Sequence, residues 1–355
     1  MFAKKMRLSF LKITIYSTVG LSLGYLNGCQ YLPKSFNKIE PEKFSSIPAL
    51  IPVRNVGNWM LDDYVQTQQL SSDSINPKVP SIVATTPIPN RLQMLDILTT
   101  YYQALLQIIA QNPLGVQQET ETLLQQLTQL STETADKPPL DFAPLLIDFS
   151  QLLTQMRQQY QTPMVASVFK QHFPALAKPL LLTLRQDCTV FYQAHYQLYQ
   201  QQQQQYLQQL NEARQQFYRQ TILLSTTKQK QLVLPMIETI NRRLTVSEFQ
   251  NLPALKLPTQ SGQSNDTLIM ARLGVEKEKI LTILDQREQQ TIQLKNYKKM
   301  LLRYRKMLNR LDAHLKHTVL ALQQQPPLDI TASAQAFDQA LTQVQQAYAN
   351  YQHNL

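Results

Sequence analysis

The chain has 355 residues, room for one large domain or two ordinary ones, and only 16% are charged against 43% hydrophobic, with glutamine making up the polar deficit. Of the 7 glycines, Gly20, Gly24 and Gly28 fall in the first 28 residues, and none lies from Val116 to Ser261. β-Sandwiches and phosphate-binding α/β domains need glycine for turns and close backbone approach, so the composition argues against both and for helices joined at prolines. The formal charge of +10 is uneven: residues 90–165 hold three bases and seven acids, 166–264 ten and four, and 265–322 twelve and six.

In chain order, the first element is a leader. Lys4, Lys5, Arg7 and Lys12 make a basic start without acids, Ile13–Leu26 is mostly apolar, and Leu26-Asn27-Gly28-Cys29 closes the run. A charged start, a short apolar core and a small residue at the end describe a secretory signal. The apolar run is shorter than the ~20 residues of a membrane-spanning helix. Leu-x-Gly-Cys resembles the lipobox of bacterial lipoproteins, a resemblance that covers residues 1–29 only, with Asn27 where that family prefers Ala or Ser. It implies cleavage between Gly28 and Cys29, acylation of the Cys29 sulfur and then of its freed amine, and a membrane anchor with no cofactor. One acyl chain binds a membrane marginally, and two or more hold firmly. Gln30 replaces the Asp that marks inner-membrane retention in some relatives of this signal, so the resemblance implies the periplasmic face of the outer membrane.

Residues 29–89 carry eight prolines, which disfavours long helices and predicts a tether. One short helix is expected near Asn58–Leu70, its Trp59 serving as a peg against the body. A helical region over residues 90–165 follows, with Asn90 as an N-cap and three helices ending near Gln111, Leu130 and Tyr160. Short segments near Met164–His172 and Pro174–Lys178 lead to residues 166–355, a basic hairpin with a C-terminal helix. From Leu180 to Leu234 neither Pro nor Gly occurs, which predicts a helix to about Thr226. Its seam reads Leu181, Leu184, Cys188, Tyr192, Tyr196, Tyr199, Gln203, Tyr206, Leu210, Ala213 and Phe217, a coiled-coil spacing with a polar step in the Gln200–Gln205 tract. A return segment with one short helix near Met236–Leu244 precedes a second long helix from about Asn265 to Gln325. That helix has the seam Leu294, Tyr297, Leu301, Tyr304, Leu308, Leu311 and Leu315 and polar steps at Arg287 and Gln290. The two are expected to pair antiparallel, with a last helix through Phe337, Leu341 and Val344 against them. The fold class is therefore all-α, a helical bundle with a long coiled-coil hairpin, whose seam also offers a surface for self-association.

Seven bases, Lys295, Lys298, Lys299, Arg303, Arg305, Lys306 and Arg310, occupy 16 residues without an acid. Five of them (Lys295, Lys299, Arg303, Lys306 and Arg310) line one side of a helix, where like charges repel. Either the face is solvated and screened by salt, or it is compensated by anionic lipid headgroups, by the acidic front helices of the same chain, or by an anionic partner such as a polysaccharide or a protein in the envelope. An exported lipoprotein is not expected to meet nucleic acid. His314 and His317, three apart, read as a solvated polar pair without a third ligand. Ser167 and Lys170 match Ser-x-x-Lys, but no Lys-Thr-Gly follows. Cys188 reads as a small buried hydrophobe. Neither a catalytic nor a metal-binding set stands out. The expected function is a lipid-anchored envelope scaffold or interaction protein, the alternative a periplasmic ligand carrier or enzyme with a pocket in the front helices.

Overall fold

Leucine, glutamine, alanine and lysine, all good helix formers, fill long stretches that proline interrupts only occasionally, and the chain folds accordingly. The computed structural model describes residues 51–73, 88–133, 142–224, 227–246, 248, 252, 255–257, 266–322 and 329–352. These form α1 (Ile51–Asp73), α2 (Ile88–Ile109), α3 (Pro113–Glu133), α4 (Ala143–Gln158), α5 (Thr162–Ile222), α6 (Thr227–Arg242), α7 (Asp266–Ala321) and α8 (Thr331–Gln352). The fold is all-α. Among the described residues no helix is long and apolar enough to cross a membrane. Gly28 and Cys29 lie outside the described residues, as does the rest of the leader.

α5 and α7 pair along their length and run antiparallel. Arg185 contacts Asp312, Tyr192 lies under Lys298, Tyr199 bonds Thr291 and Gln203 bonds Gln290, so residue numbers fall on one helix as they rise on the other. The expected polar steps face each other: Gln203 Nε2 donates to Gln290 Oε1 at 3.5 Å. This layer divides two apolar clusters. The larger contains α1–α4, the first half of α5, the second half of α7 and all of α8, with Tyr101, Phe149, Phe169, Tyr297 and Phe337 fully buried. The smaller lies beyond the Gln layer, where Tyr206, Leu210 and Phe217 of α5 meet Ile280 and Leu284 of α7 and Val233, Ile237 and Ile240 of α6.

The chain-order division into a front region and a hairpin is thus not the division of the packing, since the larger cluster takes in both. Several expectations change in detail. α5 begins at Thr162 and runs 61 residues, passing through Pro174 and Pro179 instead of starting after them. Proline in a helix interior forfeits one backbone bond and crowds the preceding turn. Here Phe173, Leu176, Ala177, Leu180 and Leu181 are buried around those two positions, and their packing outweighs the loss. α6 likewise includes Pro235. α1 is 23 residues long, and Val56, Met60, Leu61 and Tyr64 on it are buried. It is part of the core, not a short stop on a tether, and Trp59 stacks on Tyr348 of α8 at 4.6 Å between ring centroids. Asn90 is buried inside α2, two residues past its first, and does not cap it. The cap is used one helix later: after Gln111, at φ 53°, ends α2, Asn112 Oδ1 accepts from the Gly115 amide at the start of α3.

The α5 seam also shifts. After Leu184 and Cys188 the buried positions are Phe191 and Ala194, with His195 beside them, before the line resumes at Tyr206, Leu210, Ala213 and Phe217. Tyr192, Tyr196 and Tyr199 are displaced to the rim, Tyr196 being 41% exposed. They form a row with centroid spacings of 6.0 and 6.4 Å and nearly parallel planes.

Candidate interaction surface

A helix turns about 100° per residue, so on α7 the buried line Tyr297, Leu301, Tyr304, Leu308 and Leu311 fixes what faces outward. All seven bases between Lys295 and Arg310 are exposed. Lys295, Lys299, Arg303, Lys306 and Arg310 fall within about a quarter of the circumference, opposite the buried line and beside Leu302, with Arg303 at the α8 flank, where its Nη1 donates to the Gln343 carbonyl at 3.1 Å. Lys298 and Arg305 lie on the side toward α5, with the Lys298 ammonium 5.5 Å from the centre of the Tyr192 ring. Among the described residues no carboxylate comes within ion-pair distance of any of the seven. Asp312, the nearest acid in sequence, is taken by Arg185 and Lys316, each at 3.0 Å.

The acidic front helices do not neutralise this face. Glu121 accepts from Arg157 at 2.8 Å, which, with Gln117, holds its carboxyl below the usual range, and Asp148 pairs with His172 at 2.9 Å. Glu121 and Asp148 thus serve local contacts.

Chemistry-bearing side chains meet elsewhere, in partly or fully buried positions. Asp63 of α1 accepts from His195 Nε2 of α5 at 2.7 Å and from the Tyr351 hydroxyl of α8 at 3.0 Å. Thr67 Oγ1, which donates to the Asp63 carbonyl, lies 2.8 Å from the same nitrogen. Burial, with the Asp63 charge beside them, drives the Tyr297 and Tyr351 phenols far above their ordinary range. Both remain protonated, and Tyr351 donates.

A second set contradicts the expected solvated histidine pair. His314 is fully buried and only His317 is exposed. Ser333 Oγ donates to the Ile330 carbonyl at 2.8 Å, so it accepts from His314 Nδ1 at 2.9 Å, and Nε2 is left to accept from the Tyr102 hydroxyl at 2.8 Å. One neutral tautomer satisfies every group. Burial, and then His317, hold the imidazole down to about 4. The arrangement resembles a nucleophile–base pair only in composition, because the serine proton is committed to a backbone carbonyl and the histidine donates where a general base would accept.

Ser167 and Lys170 are both exposed on α5. Cys188 is buried and free, its thiol pushed up to about 12 chiefly by burial, the thiolate being the reactive form. Among the described residues no three His, Cys, Asp or Glu are grouped to hold a metal. A cavity beside the Arg91–Asp187 pair measures about 10 Å3, room for no more than one water. A hollow of about 520 Å3 lies instead on the hairpin, between Gln209, Glu212 and Gln216 of α5 and Lys279 and Gln286 of α7.

The site and fold together define a helical protein with a solvated cationic edge on a coiled-coil hairpin. The chain matches no known protein family, and no curated protein or solved structure is similar to it.

The tyrosine row at the hairpin rim was not identified as a surface from the sequence. Its spacing of four and then three is that of a core seam, and only the competing claim of Phe191 and Ala194 on the buried positions moves it outward.

Proposed function

We propose that this protein is a lipid-anchored component of the cell envelope that works by contact, presenting the basic edge of its hairpin to an anionic counterpart, and not by catalysis. The observation that carries the reading is the exposure of seven bases over 16 residues with no described carboxylate against them. Such a row costs the isolated protein self-repulsion, which a counterpart would relieve. The anchor rests on the lipobox resemblance at Cys29 and places the body at a membrane.

Two measurements test the two halves. Mass spectrometry of the mature chain is expected to find Cys29 as the first residue and acylated. A start elsewhere, or a bare cysteine, removes the anchor. A photo-crosslinking residue at position 302, which is 59% exposed among the bases, is expected to yield adducts in cells, whereas one at position 147, 56% exposed on α4, does not. Equal yields at both positions, or none at 302, would mean that the edge is merely solvated.

A further inference from the structure

Resting on that reading, we infer that the counterpart of the basic edge is an anionic lipid surface, met side-on by the rims of α5 and α7. The Arg185–Asp312 and Tyr192–Lys298 contacts bring one edge of α5 against one edge of α7. Helical spacing continues both edges. Leu182 lies one turn before Arg185 and Tyr196 one turn after Tyr192, while Leu302 lies one turn after Lys298. Leu182, Leu302 and Tyr196 are 52%, 59% and 41% exposed. The composite face therefore alternates bases with protruding apolar and aromatic side chains.

That mixture selects among anionic counterparts. A polysaccharide would reward the charges but leave the leucines in water. A protein partner recognises charge through a matching acidic pattern or takes a leucine into a pocket, and it gains nothing from cations spread over a rod. Lys295 to Leu320, the latter 45% exposed, spans about 38 Å at 1.5 Å per residue. A bilayer surface is continuous over that length, supplies anionic headgroups at every position and admits leucine and tyrosine at the acyl boundary. Each basic residue near such a surface strengthens binding by roughly fivefold. A polybasic face is also the kind of second signal that reinforces a lipid anchor.

The test uses the full chain carrying Cys29→Ser, which removes both the anchor and a competing thiol, with a fluorescent label on Leu302→Cys, Cys188 being buried, added to preformed vesicles that contain nitroxide-bearing lipids. Vesicles rich in phosphatidylglycerol are expected to quench the label, vesicles of phosphatidylcholine alone to leave it bright, and 1 M salt to restore the signal, since the screening length there is about 3 Å. A label at Ile147→Cys is the position that should stay bright throughout. Reversing Lys295, Lys299, Lys306 and Arg310 to Glu is expected to weaken binding to the anionic vesicles by at least about a hundredfold while helical circular dichroism is unchanged. These four are chosen because Arg303 and Lys298 also hold α8 and Tyr192. Quenching that ignores lipid charge overturns the inference, as does protection of the label by dextran sulfate but not by phosphatidylglycerol. Crosslinks from position 302 to a protein in cells, with no quenching in vesicles, would overturn the lipid assignment and leave the contact reading standing. The absence of both would remove the two together.

Discussion

Asp63 joins α1 to α5 and α8 through a single carboxylate, with His195 on one oxygen and Tyr351 on the other. Removing one member of such a largely buried set strands the rest, at a cost of about 1–3 kcal/mol per unsatisfied group. Asp63→Ala is therefore expected to destabilise the protein by about 3 kcal/mol in urea denaturation. A double-mutant cycle with Tyr351→Phe should return a coupling of at least about 0.5 kcal/mol, and additivity would show that the contact carries nothing. His314 gives a pH signature. Its folded value of about 4 lies below the ordinary 6.5, so the unfolded chain binds the extra proton first. Stability held by this group is complete above pH 6.5 and is lost as pH falls toward 4, on the order of 3 kcal/mol in all. Denaturation at pH 7.5 and pH 5 should show the decline, and His314→Gln should flatten it. A slope unchanged in the variant would assign the decline to other groups. Neither residue's role was legible in the sequence. Asp63 and His195 are 132 positions apart, and His314 and His317 differ by only about 60° around their helix, enough at the margin of a buried stripe to send one inside and leave the other out.

At the level of elements, the sequence showed the number and order of the long helices more reliably than their limits. Periodicity located the polar steps that α5 and α7 set opposite each other at Gln203 and Gln290, because a three–four spacing leaves few alternatives for what faces the partner. It misplaced the start of α5, since a rule about local backbone cost treats Pro174 and Pro179 as breaks and does not weigh the buried residues on either side of them. It also assigned tyrosines to a seam that phenylalanine and alanine occupy, since an amphipathic ring suits rim and core alike. The Gln layer between the two apolar clusters has an energetic consequence. The outer cluster, built from α5, α6, α7 and the segment that carries Leu244 and Leu252, holds fewer large side chains than the inner one, so amides at 206–217 and 273–284 are expected to exchange before those at 297–311. Replacing Gln203 and Gln290 together by Leu should join the clusters and bring the two exchange rates closer. Uniform exchange along the wild-type hairpin would show that the layer is no boundary.

Over the whole molecule, the charge map of the sequence survives folding. The basic run remains on the surface and without a described carboxylate partner, while Glu121 and Asp148 of the front helices are used close to home. Folding brings those like charges into line, so added salt should stabilise the wild-type chain, whereas the variant with Lys295, Lys299, Lys306 and Arg310 changed to Glu should be less sensitive. Thermal melts at 0.05 and 0.5 M sodium chloride check this, and an equal response in both chains would place the repulsion elsewhere. α1, expected as a short helix within a tether, is 23 residues long and belongs to the core. With α1 packed against α2, α5 and α8, a fragment begun at residue 89 would lose Val56, Met60, Leu61 and Tyr64 from its core. Such a truncation would bare an apolar trough and invite aggregation, so any shortened form of the protein has to retain the chain from Ile51 onward.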